Sequence, residues 1–174
     1  TTGTVNTLLR SSQADARWQS INVNDRLYRL NGTEFIQVVT STSVYNVGIT
    51  GPAAAPTLSL VAGGAGSLAT GVTVSYAYRN STTQHVGEAS AVSASSGASG
   101  ANLTLRIAVV ASTETGVDGI ILFISQDGGS LRYLYTDANG NPAVQANTTG
   151  SIDISLALLT RLNYNVEETV FNAP

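Results

Sequence analysis

The sequence predicts an all-β fold: a two-sheet sandwich over residues 53–155, an N-terminal arm with a β-hairpin over 1–52, and a short C-terminal tail over 156–174. Three observations lead there. Apolar and polar residues alternate with period two in several short runs, the repeat of a half-buried strand. Gly- and Asn-rich turns separate those runs at short intervals, as in sandwiches and barrels. Only 11% of the 174 residues are charged, while Ser and Thr number 40. That balance suits extended, turn-rich structure better than helices built on Leu, Glu and Lys.

The elements follow in order. Leu8, Leu9, Ala14, Ala16 and Trp18 mark either a short helix or an irregular arm. Asp25–Leu30 and Thr33–Val39 flank Asn31-Gly32, which predicts a hairpin, because a type I′ turn needs positive φ at both central residues. Gly51-Pro52-Ala53-Ala54-Ala55-Pro56 reads as a stiff extended boundary. Val72, Val74, Tyr76 and Tyr78 alternate against Thr73, Ser75, Ala77 and Arg79, and Leu103, Leu105 and Ile107 repeat the pattern. Ile120–Ile124 is apolar at every position, which predicts a central strand covered on both faces. Leu131, Tyr133 and Tyr135, then Ile152 and Ile154, give two further strands. Leu156, Leu158, Leu159 and Leu162 fit neither period, so one short helix is allowed at 155–163, as it is at 5–19.

Composition removes several function classes. With no Cys there is no disulfide framework and no thiolate metal site. The single His85 excludes paired-His metal centres and most catalytic triads. All eight basic residues are Arg, which excludes P-loop and Schiff-base lysines. A net charge of −3 argues against nucleic acid or anionic membrane as partner, and no apolar run reaches the ~18 residues of a membrane span. No enzymatic activity, cofactor or metal is expected. The first residue is Thr1, which raises the expectation of a processed chain or a piece of a longer one.

The order of the motifs carries a resemblance. Thr70–Asn80 leads into Gly87-Glu88-Ala89-Ser90, then Asn102–Leu105, Ile120–Ile124, Asp127-Gly128-Gly129 and Tyr133. This series resembles the fibronectin type III-like modules of tailed-bacteriophage structural proteins, and it covers roughly residues 25–155. Ala89 interrupts the Gly-Glu-Ser step, and Phe123-Ile124 stands where those modules carry Tyr-Arg. The resemblance implies a fibronectin type III/immunoglobulin-like sandwich acting as a virion building block without catalysis. A bacterial surface, filament or glycan-binding adhesin module is the alternative.

Candidate sites are few. His85 and Glu88 flank Gly87 but lack a third orienting group, so a solvated turn is expected. Asp137–Asn141 spaces oxygen side chains like the start of a calcium loop, yet lacks the distal Glu, which favours a hairpin turn. Tyr76, Tyr78, Phe123, Tyr133 and Tyr135 occupy alternating strand positions, where core packing outweighs a sugar platform. Four Asn-X-Ser/Thr sequons begin at Asn31, Asn80, Asn102 and Asn147.

The flanks hold apolar residues that need cover, among them Leu8, Leu9, Trp18, Leu158, Leu162 and Phe171. These six are the expected assembly contacts. Either the flanks fold back on their own sandwich or they pack on neighbours, and low charge favours neighbours. The expected partners are other copies of this chain, in a homo-oligomer or lattice, and other virion proteins.

Overall fold

A computed structural model describes residues 19–23, 26–30, 36–39, 44–46 and 48–168. The chain divides into two compact units, one ending at Gly48 and one beginning at Ile49. The division falls ahead of the expected boundary at residue 52. Ile49–Gly51 packs on the backbone of Gly87 and Glu88: a Cβ on Gly87 would stand 2.7 Å from the Ile49 carbonyl oxygen. Only glycine permits that approach.

The described part of the first unit is an antiparallel sheet of β1 (Gln19–Val23), β2 (Arg26–Leu30), β3 (Gln37–Val39) and β4 (Val44–Asn46), in chain order. The expected hairpin is present as β2 and β3, but its register differs. A two-residue turn at Asn31-Gly32 would set Arg29 opposite Glu34, whereas Arg29 stands opposite Gln37. The register that forms joins Arg29 Nε to Gln37 Oε1 at 2.8 Å and buries Gln37 and Val38. The two registers differ by an odd number of residues, so they place opposite faces of β3 against β2.

The second unit contains β5 (Thr57–Ala62), β6 (Val74–Arg79), β7 (Leu103–Val109), β8 (Gly119–Ser125), β9 (Arg132–Tyr135), β10 (Gln145–Ala146), β11 (Gly150–Ser155) and β12 (Leu162–Glu167). A 3₁₀ helix, Leu156–Thr160, precedes β12. Sheet one sets β7 between β5 and β11. In sheet two, β8 pairs with β6 along one edge and with β9 and then β10 along the other, and β12 lies outside β9. Every pairing between these strands is antiparallel.

The two sheets enclose one core, which makes the unit sandwich-like. Leu105, Ile107 and Ile154 of sheet one meet Val74, Tyr76, Ile120, Leu122 and Ile124 of sheet two. The alternation seen in the sequence sets this packing: even residues of β6 face inward. Its odd residue Ala77 joins Ile121, Phe123 and Leu134 in a second cluster on the other face of sheet two. All seven residues of β8 are buried, as an all-apolar central strand requires.

The region expected as a tail from residue 156 instead completes the sandwich. Leu156, Leu159 and Leu162 are all buried in the main core, and Leu158 packs against it. Their spacing of three matches the three residues per turn of a 3₁₀ helix, which sets Leu156 and Leu159 on one face. Strand β12 then adds to β9, with Leu162 opposite Tyr135.

Leu105 is fully buried in the centre of β7. Leu105→Ala should therefore lower unfolding free energy by about 2–5 kcal/mol. Ser59→Ala, on the exposed side of β5, should stay within about 0.5 kcal/mol. Urea unfolding of the two variants checks the pair.

Candidate functional site

An edge strand presents backbone N–H and C=O groups that must find partners. At β6 they find them in residues 87–99, which form no strand. The N–H groups of Gly87, Ser90, Ser93, Ser96 and Ser99 donate to the carbonyl oxygens of Tyr78, Tyr76, Val74, Val72 and Leu68, at 2.8–2.9 Å. In return the N–H groups of Tyr76, Val74, Val72 and Leu68 donate to the Oγ atoms of Ser90, Ser93, Ser96 and Ser99, at 3.1, 2.9, 3.0 and 2.8 Å. One serine thus answers both groups of one strand residue, with its amide as donor and its hydroxyl as acceptor. The hydroxyls of Ser90 and Ser96 also donate to the carbonyls of Ala91 and Gly97.

The repeat is the sequence pattern Ser-x-x-Ser-x-x-Ser-x-x-Ser. From Gly87 to Ser93, three residues of this segment span two of β6, a strand distance of about 6.7 Å, and Ser96 continues the step to Val72 just ahead of the strand. The segment therefore advances about 2.2 Å per residue, below the ~3.1 Å of polyproline II. It is a coiled ribbon bonded edge-on to a strand. Neither a two-residue nor a 3.6-residue template detects it; a search for period three in serine would have.

The same use of side-chain oxygens holds the loops. The Asp127 carboxylate accepts from the amides of Ala69, Thr70 and Gly71, and these bonds hold its pKa below the usual carboxylate value. Asn147 Oδ1 accepts from the Ser112 amide, while its Nδ2 donates to the carbonyls of Ser112 and Val117. Asn80 Oδ1 accepts from the amides of Thr82 and Thr83, and Asn102 sits at φ 62°. Three of the four sequon asparagines therefore have structural roles; Asn31 lies outside the described residues.

The other candidates fall as follows. His85 and Glu88 are both exposed in the turn that leads from β6 into the serine segment. Asp137 Oδ1 accepts from the amides of Asn139 and Asn141, forming the hairpin turn expected there. Tyr76, Tyr78, Phe123 and Tyr135 are buried, and Tyr133 is half-buried against Tyr164 with ring centroids 5.0 Å apart. The core-packing reading of the aromatics holds. Of the expected assembly contacts, Leu162 is buried in the chain's own core, and Leu158 is half-buried against it. Leu8, Leu9, Trp18 and Phe171 lie outside the described residues.

One cleft of about 320 Å³ opens beside Tyr76 and Tyr78, walled by Ala53, Ala54, Val110 and Glu114. The Tyr78 hydroxyl donates to the Val110 carbonyl at 2.8 Å. Burial, with Tyr76 and Glu114 beside it, pushes its pKa up to about 12. The phenol stays a proton donor across physiological pH and is no base. Glu114 is engaged by the Thr50 amide and hydroxyl. Among the described residues no three of His, Asp and Glu gather as a metal cluster would require.

Two predictions follow from these bonds. Ser93 is buried, so Ser93→Ala leaves the Val74 amide without its acceptor and should cost about 1–3 kcal/mol. Ser75 Oγ is buried with no hydrogen-bond partner, so Ser75→Ala should be neutral or stabilising in the same chemical denaturation. The second concerns pH. The folded pKa of Asp127 lies below its unfolded value near 3.9. Its contribution is thus complete above about pH 4 and lost as pH falls through the folded pKa. Asp127→Asn should flatten the acid limb of a stability-versus-pH curve and leave the slope above pH ~5 unchanged.

The site is thus an edge closed by serines and an end cleft whose polar groups already bond one another. Comparisons of the chain with family models, curated proteins and solved structures found no match.

Proposed function

We propose that this chain is a non-enzymatic structural component of a virus particle, a tailed-phage capsid decoration, neck or tail protein, acting by protein–protein assembly as a homo-oligomer or lattice member. The same reading takes the second unit as a fibronectin type III-like module. The order of motifs supports it: the Tyr-rich run is β6, and the Ile120–Ile124 run is the central β8 with which it pairs.

The observation that carries the assembly reading is apolar exposure on the first unit. Ile21 is 60% exposed, Ile36 47%, and Leu27 and Leu30 each 38%. Ile21 stands opposite Tyr28, so Ile21, Tyr28 and Leu30 share one face of the sheet. Exposed apolar residues gathered on one face support reading it as an interaction surface. A glycan-binding module has less support, because the aromatics that would build a sugar platform are mostly buried in the sandwich.

The test is incorporation into particles. Quantitative mass spectrometry of purified virions should find the parent chain at fixed stoichiometry. An Ile21→Asp, Ile36→Asp variant should be left out while keeping the parent's far-ultraviolet spectrum. Absence of the parent chain from particles, or equal incorporation of the double variant, would contradict the proposal.

A further inference from the structure

We infer that residues 87–99 are an edge guard, a segment that ends sheet two at β6 and excludes any further strand. Exposed sheet edges recruit strands from other chains, and proteins usually block them with charges, prolines or very short edge strands. These devices are confined to one end of the edge here: β6 runs for six residues and ends in Arg79, the guard carries one charge, Glu88 at its start, and residues 89–99 hold no charged residue and no proline.

Protection comes from geometry instead. The outward groups of Val72, Val74 and Tyr76 are each taken in both directions by one serine, and the Tyr78 carbonyl is taken by Gly87. An added strand would have to displace seven bonds at once. The guard cannot act as a template in its turn. It advances about 2.2 Å per residue against about 3.3 Å for a strand, so its amides fall out of step with an incoming ladder. Its non-serine positions Ala91, Val92, Ala94 and Ala98 are exposed and mostly small, offering little apolar surface to dock on.

The serine side chain is the necessary part. A normal partner strand supplies an acceptor from its backbone carbonyl. A chain coiled this tightly supplies it from Oγ, which alanine lacks. Strands β5 and β11, the edges of sheet one, pair with β7 alone among the described residues and carry no serine segment of this kind.

The test uses the full chain with Ser90→Ala, Ser93→Ala and Ser96→Ala together, compared with the parent by sedimentation velocity over a concentration series. Association through the first unit is common to both and cancels. The triple variant should self-associate at least about tenfold more tightly than the parent and bind thioflavin T. The corresponding Ser→Thr triple, which keeps the oxygen, should return the parent's behaviour. A folded alanine triple that sediments like the parent at every concentration would overturn the inference, leaving the serines as stabilising groups only. If the alanine triple does not fold, Ser96→Ala alone is read the same way: tighter association supports the guard, and unchanged sedimentation rejects it.

Discussion

Strand β8 is buried on both faces along its whole length, so each face needs its own cover. One face takes the side chains of sheet one. The other, carrying Ile121 and Phe123, is met by Ala77 and Leu134 and by Val86, Ala89 and Val166 from outside the central strands. Two of those covering residues, Val86 and Ala89, flank the start of the serine segment. The chain that leaves β6 turns back at once, with Val86 opposite Arg79, and the residues that start the return also pack on the outer face. Its first N–H bond, from Gly87 to Tyr78, is made at that point. Covering β8 and closing the β6 edge are one event.

The polar chemistry is consistent with a chain that is 11% charged and has no lysine. Backbone amides in turns and at the edge are answered by Ser, Asn and Asp oxygens at short range. Ion pairs are sparse among the described residues: Arg106 with Asp153 on the surface of sheet one, and Arg132 with the buried Glu168. The Tyr78 hydroxyl and the Asp127 carboxylate are likewise taken up by backbone groups of the fold.

Much of the second unit was legible because it obeys period two. The alternation of Val72–Arg79 and the all-apolar Ile120–Ile124 identify β6 and β8 and predict which faces are buried. The short helix allowed at 155–163 is present as the 3₁₀ helix Leu156–Thr160, but its place in the core and the strand after it were not foreseen. The ribbon beside β6 escaped because its period is three: against templates of two and 3.6 the four serines read as irregular. The hairpin is present, but not in the register that a two-residue turn at Asn31-Gly32 sets: Arg29 stands opposite Gln37.

Native-state hydrogen exchange tests the central claim, that the β6 edge is closed as firmly as the sheet's interior. The amides of Val72, Val74 and Tyr76, bonded only to serine hydroxyls, should exchange by global unfolding, at the same free energy as the amides of Ile121 and Phe123 in β8. Exchange of Val74 and Tyr76 at a free energy well below that of Ile121 and Phe123 would contradict the account, showing the serine segment to be a loose cover on the β6 edge.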